Sequence, residues 1–411
     1  MEAYRRVRAR TEDLCRPLAI EDYVVQSMPD VSPTRWHIAH TSWFFETFVL
    51  TPGLEAYRPF REEFKFLFNS YYNSVGPMHG QPDRGLMTRP TVEEITEYRA
   101  HVDRGMETLL SSAGEDQVAR YSPVIVLGLN HAQQHQELLL TDIKHVFFQN
   151  PLYPIYRDLN PGREAEVAEL GWILYPEGLR EIGHSGDGFG YDNETPRHRV
   201  FVDPFRLADR LITNGEYLEF MEAGGYDTPT PWLSDGWYAV KENGWNAPLY
   251  WVRKDGGWHE FTLGGLREVR PTEPVAHLSL YEADAFARWA GARLATEAEW
   301  EVAAEDVSLV GNLLETDHLH PIPLVEPAAG RPRQLFGDVW EWTRSAYQPY
   351  PGYKPVEGAL GEYNGKFMSS QMVLKGGSCL TPGTHIRKTY RNFYPPNARW
   401  QVTGLRLAKD E

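Results

Sequence analysis

The sequence predicts a multidomain α+β chain, in which a helical bundle precedes a domain with little regular secondary structure. Three observations carry this. Up to about residue 150, apolar residues recur at helical spacing, whereas beyond residue 170 few segments keep one period for long. Eleven of the 13 tryptophans lie after residue 170, so the two halves are built differently. At 411 residues the chain is long enough for two or more domains, each with its own core. We expect a bundle over 1–150, a linker over 151–170 broken by Pro154, Pro161 and Gly162, and a second domain over 171–411.

The balance of 41 basic against 57 acidic residues gives a net charge of −16. That disfavours nucleic acid and anionic membrane as partners, since both need a concentrated basic surface. Cys15 and Cys379 are the only cysteines, too few for a disulfide framework or a cysteine-rich zinc site. The first residues are charged and lack the apolar core of a signal peptide, and no stretch reaches the length of a membrane span. A cytoplasmic protein is expected.

Residues 2–27 read as the first helix, with Tyr4, Val7, Leu14, Leu18 and Tyr23 on one stripe. Ser32-Pro33 supplies an N-cap and a proline at the first helical position. The helix it opens carries Trp36, His40, Trp43 and Thr47 at i, i+4, i+7 and i+11, and runs to about Leu50. On spacing alone His40 is either a satisfied core-edge histidine or a ligand, and His37 competes for the second role. Thr51-Pro52-Gly53 ends the helix, and residues 51–90 form a connection of a length uncommon without a function. At its centre stands Tyr71-Tyr72; beside a metal, a tyrosine can give a proton or an electron. Thr91 with Glu94 forms a capping box, opening a helix to about Leu110.

The last helix of this half, over 123–148, carries Asn130-His131-Ala132-Gln133-Gln134-His135-Gln136-Glu137. Its histidines at i and i+4 share a face and can take two adjacent corners of a metal ion. The pattern is not His-Glu-x-x-His, so the hydrolytic base of a zinc protease is missing. Four helices, two bearing inward histidines, match a bundle whose metal site is built between facing helices.

In the second half, helices are expected over Thr213–Ala223 and Ser279–Ala290, the latter opened by a Ser279/Glu282 capping box. Short aromatic strands are expected between them, at Gly236-Trp237-Tyr238 and Pro248-Leu249-Tyr250-Trp251. The domain also carries a series of ordered motifs. Ile212-Thr213-Asn214-Gly215-Glu216-Tyr217, the run from Gly291 through Arg293 and Trp300 to Glu301, Gly337-Asp338-Val339-Trp340-Glu341-Trp342, Lys375-Gly376-Gly377-Ser378-Cys379 and Thr403-Gly404-Leu405-Arg406 span it. Together they resemble the formylglycine-generating-enzyme (sulfatase-modifying factor) fold, a C-type-lectin-like core. The first half resembles the DinB-like four-helix bundles.

The whole chain resembles the ergothioneine-biosynthesis sulfoxide synthases, or hercynine oxygenases. That resemblance implies a non-heme Fe(II) held by His40, His131 and His135, and it is the resemblance that selects His40 over His37. It implies Gln134 against the substrate imidazole, Tyr71 and Tyr72 as the working tyrosine pair, and Asn392, Phe393 and Tyr394 on a substrate-facing loop. Glu137 is a candidate to orient a ligand histidine. The implied substrates are hercynine (trimethylhistidine), cysteine and O2, the cysteine sulfur joining the imidazole carbon as a sulfoxide. Three neutral imidazoles leave Fe(II) uncompensated, which suits an anionic thiolate. Free cysteine in place of γ-glutamylcysteine fits Ala398, where a dipeptide-binding arginine would otherwise stand. Formylglycine-type cysteine chemistry is not expected, and Cys379 reads as a packing residue. The resemblance leaves room for a structural calcium in the second domain and for a homo-oligomer. The alternatives are an ovothiol-type synthase acting on histidine, a thiol dioxygenase, and a non-catalytic zinc-dependent thiol-binding protein.

Overall fold

The helix expected over residues 2–27 stops as α1 (Glu2–Cys15), because Pro17 has no N–H to carry the ladder on. The structure is a computed structural model and describes residues 1–160, 162, 166–325 and 330–411. Helix α2 (Thr34–Phe45) begins one residue later than expected, with Pro33 at its N-cap. Ser32 is occupied elsewhere: its N–H donates to Asp142 Oδ2 at 2.8 Å and its hydroxyl accepts from Arg84 at 2.8 Å. All twelve residues of α2 are buried, so it is the central rod of the bundle. It runs on through a π-helical turn, Glu46–Leu50, into α3 (Thr51–Gly53). The buried Glu46 at that turn accepts from Tyr57 at 2.7 Å and from Tyr98 at 2.8 Å, so both of its carboxyl oxygens are hydrogen-bonded.

The long connection holds a short helix α4 (Phe64–Leu67) and a 3-10 turn, Gln81–Leu86. Helix α5 (Val92–Ser112) opens on the expected capping box: Thr91 Oγ1 accepts the Glu94 N–H at 3.1 Å and Glu94 accepts the Thr91 N–H at 2.9 Å. Helix α6 (Glu115–Phe148) begins two turns before the expected start, with Pro123 inside it. The proline does not open the helix; it sits inside it, where it removes one ladder hydrogen bond.

Helices α2 and α6 come together at Gly128, one turn before His131. A Cβ on Gly128 would sit 2.7 Å from the Phe45 ring and 2.8 Å from the Phe44 ring. Alanine should favour an exposed helix by ~1 kcal/mol over glycine. Here overpacking, at about 1–3 kcal/mol, opposes that gain. We expect Gly128→Ala to lower stability in chemical denaturation, and a stabilised variant would show that the helices can part.

The first compact unit comprises Met1–Tyr156 together with Val356–Tyr363, and the second comprises Arg157–Pro355 with Asn364–Glu411. Within the stretch expected as linker, Tyr156 donates to the Leu14 carbonyl at 2.5 Å and so belongs to the first unit. Residues 161 and 163–165 of that stretch lie outside the described residues. Among the described residues, no helix is long and apolar enough to cross a membrane.

In the second unit α7 (Asn214–Glu222) is capped by Thr213 with Glu216. Gly236-Trp237-Tyr238, expected as strand, lies in α8 (Ser234–Asn243). Its Gly244 ends the helix in the left-handed conformation, a local stop signal that outweighs the aromatic β-propensity. Of Pro248–Trp251, only Trp251 enters a strand. Helices α9 (Leu280–Trp289) and α10 (Glu297–Ala304) open on the Ser279/Glu282 and Thr296/Glu299 boxes.

One sheet has the order β1 (Trp172–Tyr175), β4 (Phe205–Ala208), β13 (Leu407–Asp410), β8 (Arg293–Leu294). A second runs β11 (Asn392–Tyr394), β10 (Met372–Lys375), β9 (Trp340–Ala346), β12 (Thr403–Gly404), with only the β9–β12 pair parallel. A hairpin, β2 (Gly178–Ile182) with β3 (His198–Val202), and a meander of β5 (Trp251–Lys254), β6 (Gly257–Thr262) and β7 (Gly265–Glu268) complete it. The sequence motifs meet in its interior. The Trp300 indole donates to Glu341 at 3.0 Å, and Glu341 pairs with Arg406 at 2.9 Å, all three buried. Gly337 has φ +81°, and a Cβ there would overlap the Asn312 carbonyl, so glycine is required.

Candidate metal centre

His40 on α2 and His131 and His135 on α6 bring their ring nitrogens together inside the bundle. His131 Nε2 is 3.2 Å from His40 Nε2 and 3.0 Å from His135 Nε2. Two nitrogens each ~2.1 Å from one ion and at right angles to each other would stand about 3.0 Å apart. Burial pushes the His131 imidazole down to about 3 and holds His40 and His135 well below the ordinary histidine value. All three are thus neutral donors, as a metal requires. The tautomer of His40 is fixed by its surroundings. Its Nδ1–H donates to the Phe68 carbonyl at 2.6 Å, which leaves the lone pair on Nε2. The ring is stacked on Trp36 and Trp43 at 4.5 and 5.6 Å between centroids. The donor set therefore fits an ion that accepts imidazole.

His37 is also inside, but it faces away from the convergence. Its Nδ1 lies 2.8 Å from His135 Nδ1 and its Nε2 lies 3.0 Å from Asp142 Oδ2. A carboxylate, Asp142, thus stands behind His135 through His37. Asp142 carries a signal of its own, because it stands seven residues beyond His135 on the same helical face.

Tyr71 and Tyr72 lie beside this cluster. The Asn69 side chain holds their loop, donating to the Tyr72 and Gly76 carbonyls at 3.1 Å each. Tyr72 is buried against Trp43 and Phe48, and Tyr71 packs on Tyr72 at 4.7 Å. Burial pushes the Tyr71 phenol well above its ordinary value, so it keeps its proton. Gln134 shares α6 with the histidines, and its Oε1 accepts from the Tyr363 hydroxyl. Tyr363 stands edge-on to His131 at 5.5 Å and is 6.0 Å from Tyr71. Beside it, Glu362 accepts from Ser74 Oγ at 2.5 Å and from the Ser74 and Asn73 backbones at 2.9 and 3.0 Å. Neither residue stands out in the sequence, since the Gly- and Pro-rich run around them has no period to read.

Asn392, Phe393 and Tyr394 belong to the second unit, where they form β11. Phe393 is stacked on Tyr347 at 4.0 Å and lies near-parallel to Phe367 at 5.9 Å. Asn392 Oδ1 accepts the Phe393 N–H at 2.9 Å, and Tyr394 meets Trp400 edge-on at 5.8 Å. Glu260, Glu273 and His320 also converge in that unit, with Arg267 already bridging the two carboxylates. An imidazole and a guanidinium among two carboxylates make an ion-pair cluster, unlike the six to eight oxygens that calcium takes. Neither cysteine is in a disulfide and both are buried, and burial pushes Cys15 up to about 12, so it is not a nucleophile.

Three imidazoles on facing helices, with phenols and an amide alongside, make a candidate metal site between bundle helices. A model described as the DinB superfamily matches residues 3–139, and one described as the sulfatase-modifying factor enzyme 1-like domain matches 159–318 and 315–411. The hercynine oxygenase of Mycolicibacterium smegmatis is 31% identical, across 94% of this chain and 92% of that protein. That of Mycobacterium tuberculosis is 29% identical, across 93% and 92%. A formylglycine-generating enzyme of Streptomyces coelicolor is 28% identical, but across only 58% of this chain. The chain belongs to the hercynine oxygenase family.

Proposed function

We propose that this protein is an iron- and O2-dependent sulfoxide synthase of ergothioneine biosynthesis, joining the sulfur of cysteine to the imidazole carbon of hercynine. The observation that carries the reading is the convergence of His40, His131 and His135 in a chain alike to hercynine oxygenases over nearly its whole length. Fe(II), when bound to these histidines, supplies the redox chemistry and open positions for a thiol and O2. The balance is closed: one oxygen atom enters the product and the other leaves as water, with the hydrogens lost from the thiol and the ring carbon.

The chain's own groups bind, orient and hold protons. Gln134, whose Oε1 accepts from the Tyr363 hydroxyl, is assigned to the substrate imidazole. Tyr71 holds a phenolic proton in a buried setting, with Tyr72 against it. Ala398 is buried and brings no cation for a γ-glutamyl carboxylate, which supports free cysteine as the thiol. Phe393 and Asn392 are assigned to hercynine: an aromatic face for the quaternary ammonium and an amide for the carboxylate.

Incubation with Fe(II), cysteine and hercynine, with the product identified by mass, tests the function. The expected mass is the sum of both substrates plus one oxygen and minus two hydrogens. Equal turnover of histidine would mark the ovothiol-type enzyme, cysteine sulfinate alone a thiol dioxygenase, and no oxygen uptake a binding protein. For the substrate loop, a cation–π contact of ~0.5–2 kcal/mol corresponds to about 2- to 30-fold in affinity. Phe393→Ala should raise the hercynine KM within that range, move the cysteine KM less, and narrow the preference for hercynine over histidine. A lowered melting temperature with both KM values shifted equally would assign Phe393 to packing on Tyr347 alone.

A further inference from the structure

The three histidines are oriented in three different ways. His40 is held by a backbone carbonyl, which no side-chain substitution removes. His131 Nδ1 is buried with no hydrogen-bond partner among the described residues. His135 alone is backed by side chains, through His37 to Asp142. The proton positions along that chain are dictated by the atoms. For His135 to offer the Nε2 that faces His131, its proton must sit on Nδ1. That N–H points at His37 Nδ1, which must then be an acceptor and carry its own proton on Nε2. The His37 Nε2–H in turn is given to Asp142 Oδ2, which accepts it. The opposite order fails, because a proton on His37 Nδ1 would force the His135 proton onto the nitrogen that faces the metal.

We propose that Asp142 and His37 are positioning residues, which lock His135 into its metal-binding tautomer and raise its basicity as a ligand. The proposal rests on the reading of His40, His131 and His135 as a metal site. It adds that metal affinity is set from α2 and the C-terminal part of α6, by residues that touch neither metal nor substrate. The carboxylate is itself fixed, since Asp142 Oδ2 also accepts the Ser32 N–H at 2.8 Å. Partners of this kind typically contribute 10- to 100-fold to metal affinity.

The test is a titration with Co(II) alone, read by its visible absorption, on the full chain and three variants. His37→Leu removes both ends of the relay. His37→Gln keeps an oxygen to accept from His135 and an amide N–H to give to Asp142. Asp142→Asn keeps an oxygen for Ser32 and His37 but carries no charge. We expect cobalt affinity to fall about 10- to 100-fold in His37→Leu and about tenfold in Asp142→Asn. His37→Gln should stay within a few-fold of wild type, with wild-type band positions. Equal losses in the Leu and Gln variants, or wild-type affinity in both His37→Leu and Asp142→Asn, would overturn the relay. Thermal melts accompany each titration, and if His37→Leu does not fold, Asp142→Asn against His37→Gln decides. Should wild-type protein and His40→Ala give the same cobalt spectrum, the metal site itself fails, and that outcome is distinct.

Discussion

On the proposed iron site, alanine at His40, His131 or His135 should abolish iron retention and turnover together, while the bundle stays folded. Each of these rings supplies one of three converging nitrogens, so no spare ligand remains to hold the ion. The loss should exceed the ~10–100-fold typical of an outer partner, and that difference separates His40 from His37. His37→Ala should weaken iron binding without abolishing it, because His135 keeps its place on α6. Stability changes should stay within ~1–3 kcal/mol, as for most single substitutions. His135 is the mildest case, since its ring is only partly buried. Iron content by elemental analysis, oxygen uptake and a thermal melt on the same preparations read out all three quantities. Full iron in His40→Ala with loss in His37→Ala would reverse the assignment.

The second large effect is expected in the product and not in the rate alone. With Tyr71 and Tyr72 both changed to phenylalanine, more cysteine sulfinate should form relative to sulfoxide. Thiol and O2 would still be brought to one site, but the phenolic proton beside it would be gone. Ring packing survives the change, so the cost is about a hydrogen bond or two, ~1 kcal/mol each. Tyr363→Phe is the informative control, because its hydroxyl is committed to Gln134 and its ring to His131. It should raise the hercynine KM by loosening Gln134, with the product ratio little changed. A diverted ratio in Tyr363→Phe and an unchanged one in the double variant would move the proton-giving role to Tyr363.

The His131/His135 pair is legible in the sequence because a long helix converts a spacing of four into a shared face, and Thr91/Glu94 because a capping box is local. The choice between His40 and His37 is not. Periodicity separates inner from outer faces, and α2 has no outer face; both rings are buried and only their hydrogen-bond partners differ. The strongest sequence motifs of the second half are legible as a fold but chemically quiet. Glu341, Trp300 and Arg406 satisfy one another in the interior and offer nothing to a substrate. Tyr363 and Glu362 escape for a different reason. Their contacts reach back 289 positions from Glu362 to Asn73 and 229 from Tyr363 to Gln134, and no local pattern encodes such contacts.

That separation also orders events during synthesis. The ribosome completes all four long helices, and the three histidines with them, before it reaches Val356–Tyr363. A nascent bundle has its three histidines in hand but neither the Glu362 clamp on the tyrosine loop nor the Tyr363 hydroxyl that meets Gln134. A gene cut after Tyr156 would therefore encode the three histidines without the Val356–Tyr363 segment of the same unit. The two halves of this protein cannot be inherited separately without losing part of the first.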